Sequence, residues 1–216
     1  MRAAVLGADD AIVSTASLMI GVAASSAPKS GVLIAGVAGL VGGAMSMAVG
    51  EYVSVSSQRD TEQADVEREK IELDTQPQAE ARELEAIYVK RGLDERLARE
   101  VAQQLASQDR LGAHLRDELG IDPQSMARPI QAAWISAVSF GTFAFVPIVA
   151  LVLAPAALRI PVIAVISVAS LAALGAFGGY LGGAPLGRAA LRVTLGGGLA
   201  MAVTAVIGRL FGIVTG

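Results

Sequence analysis

The chain has no cysteine, one histidine and nine aromatic residues in 216. Absent thiols exclude a disulfide scaffold, a thiolate metal site and a cysteine nucleophile. Any metal must therefore be held by carboxylate, imidazole or thioether groups. Charge is scarce over most of the length. Of the 37 Asp, Glu, Lys and Arg residues, 28 fall within 56–128, and nine serve the other 143 positions. A soluble domain with one core mixes its charges throughout, so this segregation implies two environments. The formal net charge of −3 gives no basis for a nucleic-acid partner. No nucleophile–base pair, cofactor loop or redox ligand set is visible, which argues against an enzyme.

Uncharged runs cover 11–28, 30–50, 129–158, 160–187 and 193–208. Crossing a bilayer takes roughly 20 mostly apolar residues. Five membrane helices follow, over about 3–27, 31–55, 130–153, 160–183 and 189–213. The expected fold class is all-α: an integral, multi-pass membrane protein with five transmembrane helices and a cytoplasmic helical insert between spans two and three. Its segments are 1–55, 56–128 and 129–216. Arg2, the following apolar stretch and Ala24-Ser25-Ser26-Ala27 could also read as a secretory leader, but Asp9 and Asp10 fall where a leader is apolar. Arg188 and Arg192 in one short turn outnumber Arg159 and Lys29 in the opposite turns, which places the amino terminus and the insert in the cytoplasm. An alanine-rich composition favouring arginine over lysine points to a bacterial cytoplasmic membrane. Gly39/Gly43, Gly175/Gly179, Gly178/Gly182 and Gly208/Gly212 are small-residue pairs that allow close helix approach, within one bundle or across a dimer.

The insert reads as four helices. A charged helix over 59–73 breaks at Asp74 or Thr75, and Pro77 suits the first turn of the next, which stops at Gly92. Asp94 and Asp109 are placed to cap two more, the last closing at Gly120. Leu84, Ile87 and Tyr88, then Leu97, Val101 and Leu105, form narrow apolar stripes.

Several residues could carry chemistry. A first span of useful length draws Asp9 and Asp10 inward, and an acid at membrane depth marks an ion path or proton relay. Met47 and Glu51 share one face of the second span, near Met45, and pair a thioether with a carboxylate. The insert carries 17 acids and 11 bases, net −6. Glu69/Glu72 and Glu80/Glu83 are i,i+3 pairs on consecutive helices, and an antiparallel fold would converge them. Such an oxygen cluster suits Fe²⁺, Mn²⁺, Zn²⁺ or Ca²⁺. His114 and Glu118 have the i,i+4 spacing of two ligands to one metal. The competing reading is a solvated charged surface, with Arg68, Lys70, Arg82 and Arg116 neutralising their neighbours.

GADDAIVSTASLMIGVAAS at 7–25, GLVGGAMSMAVGEYVSVSSQRDTE at 39–62 and the acidic insert together resemble the vacuolar iron transporter family. The resemblance implies a dimer whose five-helix domain carries Fe²⁺, and often Mn²⁺, out of the cytosol in exchange for protons. It also implies a glutamate-rich cytoplasmic domain that gathers the metal. Carried across, the pore acid falls on Asp10 and the pore methionine on Met47. The insert ligands fall on Glu69, Glu72, Glu80, Glu83 and Glu118. His114 and Leu115 stand where members carry methionines, which implies less selectivity for soft metals and more sensitivity to pH. Gly39 stands where some members carry an acid, and Glu51, one turn beyond Met47, is the carboxylate expected in its place. The rival readings are a membrane-anchored metal sensor or buffer without transport, and a structural membrane protein whose insert docks a partner.

Overall fold

The computed structural model describes residues 2–122 and 127–215. Every regular element among them is helical: α1 Arg2–Ala24, α2 Lys29–Thr75, α3 Pro77–Lys90, α4 Glu95–Asp117, α5 Pro129–Leu153, α6 Arg159–Leu181 and α7 Leu186–Thr215, with one 3-10 turn at Ala156–Leu158. α1, α2, α5, α6 and α7 each contain a stretch long and apolar enough to span a membrane. The chain forms two compact units, residues 1–52 with 130–216, and residues 53–129.

In the larger unit α1 lies against α6 and α7. Ile12, Ala16, Met19 and Ile20 of α1 are buried with Val32, Ile148, Leu151, Ile163, Leu171 and Met201. Small residues make this proximity possible. A Cβ on Gly208 would overlap the Gly21 carbonyl, and one on Gly175 would sit 2.8 Å from Ala190 Cα. Gly179 meets Ala189, Gly212 meets Ser25, and Gly43 meets Phe140. Those glycines pack helices within the chain, which resolves the choice the sequence left open for them. Polar groups at the helix ends are satisfied locally. Lys29 Nζ donates to the Val152 carbonyl at 2.9 Å, and Arg159 Nη1 to the Ala27 carbonyl at 3.2 Å. Lys29 thus meets the negative end of α5, and Arg159 ties down the connection between α1 and α2.

α2 differs from expectation. The second span and the charged helix over 59–73 are one uninterrupted helix of 47 residues. No glycine or proline occurs between Glu51 and Thr75, so nothing breaks the helix where polarity changes. It ends before Gln76, whose φ of −131° and ψ of 46° lie outside the α region that Pro77 disfavours for its predecessor.

In the smaller unit α3 packs on α4 through Leu84, Tyr88, Ala98, Ala102 and Ala113. Asp94 caps α4, accepting from the Arg96 and Leu97 amides. α4 is itself two helices: Asp109 breaks it with φ −154° and ψ 86°, and its Oδ1 accepts from the Gly112 amide at 2.9 Å. The second leg closes when the Ile121 amide bonds the Leu115 carbonyl at 2.7 Å around Gly120, whose φ is +67°. A glycine in the left-handed region just past the last turn is a common helix stop.

Candidate metal centre

Three helices bring four ligand groups together. α2 supplies Glu69, α3 supplies Glu80, and the second leg of α4 supplies His114 and Glu118. One ligand atom from each lies within 4.8 Å of all the others. His114 Nδ1 stands 3.0 Å from Glu69 Oε1, 3.0 Å from Glu118 Oε2 and 3.9 Å from Glu80 Oε2. Glu69 and His114 are each 1% exposed and Glu80 is 7% exposed. Buried carboxylates normally meet a cation or several amides. Here Glu69 Oε1 is buried without any hydrogen bond.

The electrostatics carry the same signature. Burial, then the Glu118 carboxylate, push Glu69 up to about 6, and His114 opposes the rise. Burial raises Glu80 as well, with Glu83 as the next cause. The expected local cations do not relieve this. Arg68 pairs with Asp65, Lys70 pairs with Glu67, and Arg82 donates to the Gln78 carbonyl. Three carboxylates and an imidazole facing one another inside a protein form a donor set for a divalent metal.

One member of each predicted glutamate pair belongs to the tight group. Half-buried Glu72 and exposed Glu83 stand outside the four. Their charges still reach in, Glu72 raising both Glu69 and Glu80, and Glu83 raising Glu80. An i,i+3 pair diverges by about 60° around a helix, so one residue can face the centre while its partner flanks it.

Two anchors that sequence reasoning missed hold the leg carrying His114. Asp117 accepts from Tyr88 at 2.6 Å and is gripped by Arg91, while Arg110 pairs with Asp74 at 3.5 Å. These partners lie too far apart in the chain for helical spacing to reveal them.

In the larger unit Asp10 is exposed on α1, and its carbonyl accepts from Ser14 Oγ at 2.6 Å. Its neighbour Asp9 is the more enclosed, with Oδ1 buried and without a hydrogen-bond partner. Met47 packs on the cluster of Ala11, Phe140 and Ala144, beside the residue that follows Asp10. Glu51 is half-buried one turn on, and Met45 is 65% exposed. A Cβ at Gly39 would lie 2.9 Å from Leu18 Cδ2, so this position faces α1.

The chain is 47% identical over 211 residues to "Vacuolar iron transporter" of Acanthamoeba castellanii, covering 97% of this chain and 78% of that one. It is 36% identical over 213 residues to "Vacuolar iron transporter homolog 1" of Oryza sativa subsp. japonica, covering 98% and 74%. To "Vacuolar iron transporter homolog 2" of Arabidopsis thaliana it is 35% identical over 214 residues, covering 99% and 85%. These relatives are eukaryotic and named for the vacuole, so they give no support to the bacterial cytoplasmic membrane expected from composition. The model of the VIT family matches residues 1–209, and the chain is an integral membrane protein belonging to that family.

Proposed function

We propose that the protein transports Fe²⁺, with Mn²⁺ as a second cargo, exporting it from the cytosol in exchange for protons. Metal is gathered by Glu69, Glu80, His114 and Glu118, with Glu72 and Glu83 alongside to attract it. It then moves along a path containing Glu51, Met47 and Asp10. The observation that carries the reading is the buried, unbonded Glu69 Oε1 facing His114 and two further carboxylates. Three oxygens and one nitrogen suit Fe²⁺, Mn²⁺ and Zn²⁺ without the irreversible grip of thiolates. Carboxylates release metal when protonated, so a proton reaching Asp10 from the far side favours unloading there.

The functional unit is a homodimer with its inserts in the cytoplasm. Ala38, Gly42, Ser46 and Gly50 are exposed on α2 at four-residue intervals, a spacing at which membrane helices associate closely. The relatives' names favour a vacuole-type membrane for its residence.

Titration of the purified full chain with Mn²⁺, followed by the electron paramagnetic resonance of the free ion, tests the metal centre. The wild type binds, and a Glu69→Ala, Glu80→Ala double variant loses the tightest class of site. Equal binding by both proteins removes the centre from the reading. A second reading, a membrane-anchored sensor or buffer, draws on the fact that all four ligands lie within residues 53–129. It requires binding without flux.

A further inference from the structure

The geometry points to Asp109 as the positioning residue of the metal centre: the break it makes in α4 turns His114 and Glu118 back onto Glu69 and Glu80. This inference rests on the reading of those four residues as a metal site.

Chain lengths make the argument. α4 holds 23 residues from Glu95 to Asp117. Unbroken, it would be about 34 Å long. Arg91 precedes Glu95 by four residues, which span at most about 14 Å. Yet Arg91 donates to both a carboxylate oxygen and the carbonyl of Asp117, at the far end of the helix. Tyr88, one turn earlier, donates to the same carboxylate at 2.6 Å. The far end can reach α3's last turn only if α4 folds back on itself. Asp109 is the residue inside α4 with non-helical angles.

Local chemistry explains why the reversal falls there. Asp109 Oδ1 takes the Gly112 amide, the third helical position of the new leg, as an N-cap should. A Cβ on Gly112 would meet the Asp109 carboxylate where it stands, so glycine leaves room for the cap in this rotamer. Two tethers keep the leg in place, Arg110 to Asp74 at the end of α2, and Asp117 to Tyr88 and Arg91 at the end of α3. The leg is therefore fastened to the two helices that carry Glu69 and Glu80. Val101–Gln108 before Asp109 contains no glycine or proline, and Gly112 is tolerated within a helix at modest cost. Without the cap, a straight α4 competes with the folded-back one. The straight form carries His114 and Glu118 away from the other two ligands and splits the centre into halves. Asp109 touches no metal in this arrangement; it acts through the leg it starts.

Because the chain has no native cysteine, spin labels can be placed at will. Lys90→Cys and Arg116→Cys label two exposed sites, on α3 and on the second leg. Pulsed dipolar spectroscopy on the full chain, with and without diamagnetic Zn²⁺, reads their separation, and Mn²⁺ titration of unlabelled protein reads affinity. The wild-type background should give one short distance. Asp109→Ala should add a population longer by on the order of 20 Å, which Zn²⁺ draws back to the short one. Its Mn²⁺ affinity should fall in proportion to the folded-back fraction that remains, about twofold where half the chains straighten. Asp109→Asn, which still caps, should restore both readouts. A single short distance and unchanged affinity in Asp109→Ala would overturn the assignment. If the wild type bound no metal while Asp109→Ala still lengthened the distance, the metal reading would fall and Asp109 would be left as a purely structural cap.

Discussion

His114 Nδ1 and Glu69 Oε1 lie 3.0 Å apart, both residues almost wholly excluded from solvent, and no hydrogen bond satisfies the glutamate oxygen. The protein holds this oxygen at a free-energy cost. On the proposed reading a divalent cation between the carboxylates would offset that cost, so stability and binding should respond in opposite directions when the charge is removed.

Glu69→Gln keeps the shape and deletes the charge. The metal-free insert should gain about 1–2 kcal/mol, since desolvation and carboxylate repulsion both disappear. Metal affinity should fall at least about tenfold with the loss of one anionic ligand. Thermal melts with and without Mn²⁺ check both effects. A variant that is less stable without metal would show that Glu69 is a satisfied structural residue.

Acid should act on the same group. Glu69 is pushed up to about 6 from its ordinary 4.5, so the folded insert holds its proton more tightly than the unfolded chain does. That contribution to stability is fully present below pH 4.5 and is lost as pH rises through about 6, a change of about 2 kcal/mol by pH 7. Metal binding runs the other way, because protons compete for the ligands. The stabilisation conferred by Mn²⁺ should therefore grow from pH 5 to pH 7. Melting temperatures across that range, with and without Mn²⁺, should diverge as pH rises.

His114 is the nitrogen ligand where the family's resemblance leads one to expect thioether. His114→Met should weaken Zn²⁺ more than Fe²⁺, because imidazole suits zinc and a thioether is the softer, weaker donor. Competition titrations between the two ions measure the ratio. An unchanged ratio would place His114 outside the coordination sphere.

Asp10 and the insert should be separable. Asp10→Asn should leave Mn²⁺ binding by the full chain within about twofold of wild type, since all four ligands lie in the other unit. Its iron flux into liposomes should drop below about a tenth, because a neutral amide neither binds the ion well nor carries a proton. Asp9→Asn provides the comparison. Asp9, not Asp10, has the buried and unbonded oxygen. Loss of flux in Asp9→Asn with retention in Asp10→Asn would move the path to the neighbouring face of α1.

Much of this architecture is written in local pattern. The five spans follow from uncharged length, and Pro77, Asp94, Asp109 and Gly120 mark the insert's helix ends because caps and stops depend on single residues and their nearest neighbours. Glu69, Glu80, His114 and Glu118 were visible as candidates because helical spacing puts ligands on a shared face. What spacing leaves open is rotation. It shows that Glu69 and Glu72 are neighbours without saying which points inward, and that choice depends on how α2 meets α3 and α4. The continuity of α2 was hidden because a change in polarity looks like a boundary while the backbone passes through it. The grip of Tyr88 and Arg91 on Asp117 was hidden too, because it forms only after α4 reverses. The glycine pairs were legible as close contacts, but their partners, such as Gly21 for Gly208, are set by tertiary packing.

The central claim is that this centre feeds a transport path, and the most direct test is Fe²⁺ entry into liposomes holding the purified protein, with an internal pH dye read in the same cuvette. The account predicts iron entry accompanied by a proton flux in the opposite direction, with Glu69→Gln slowing entry at low Fe²⁺ and approaching wild-type rates at high Fe²⁺. Metal binding to the protein with no iron entry would contradict it and leave the family fold serving as a membrane-anchored metal sensor.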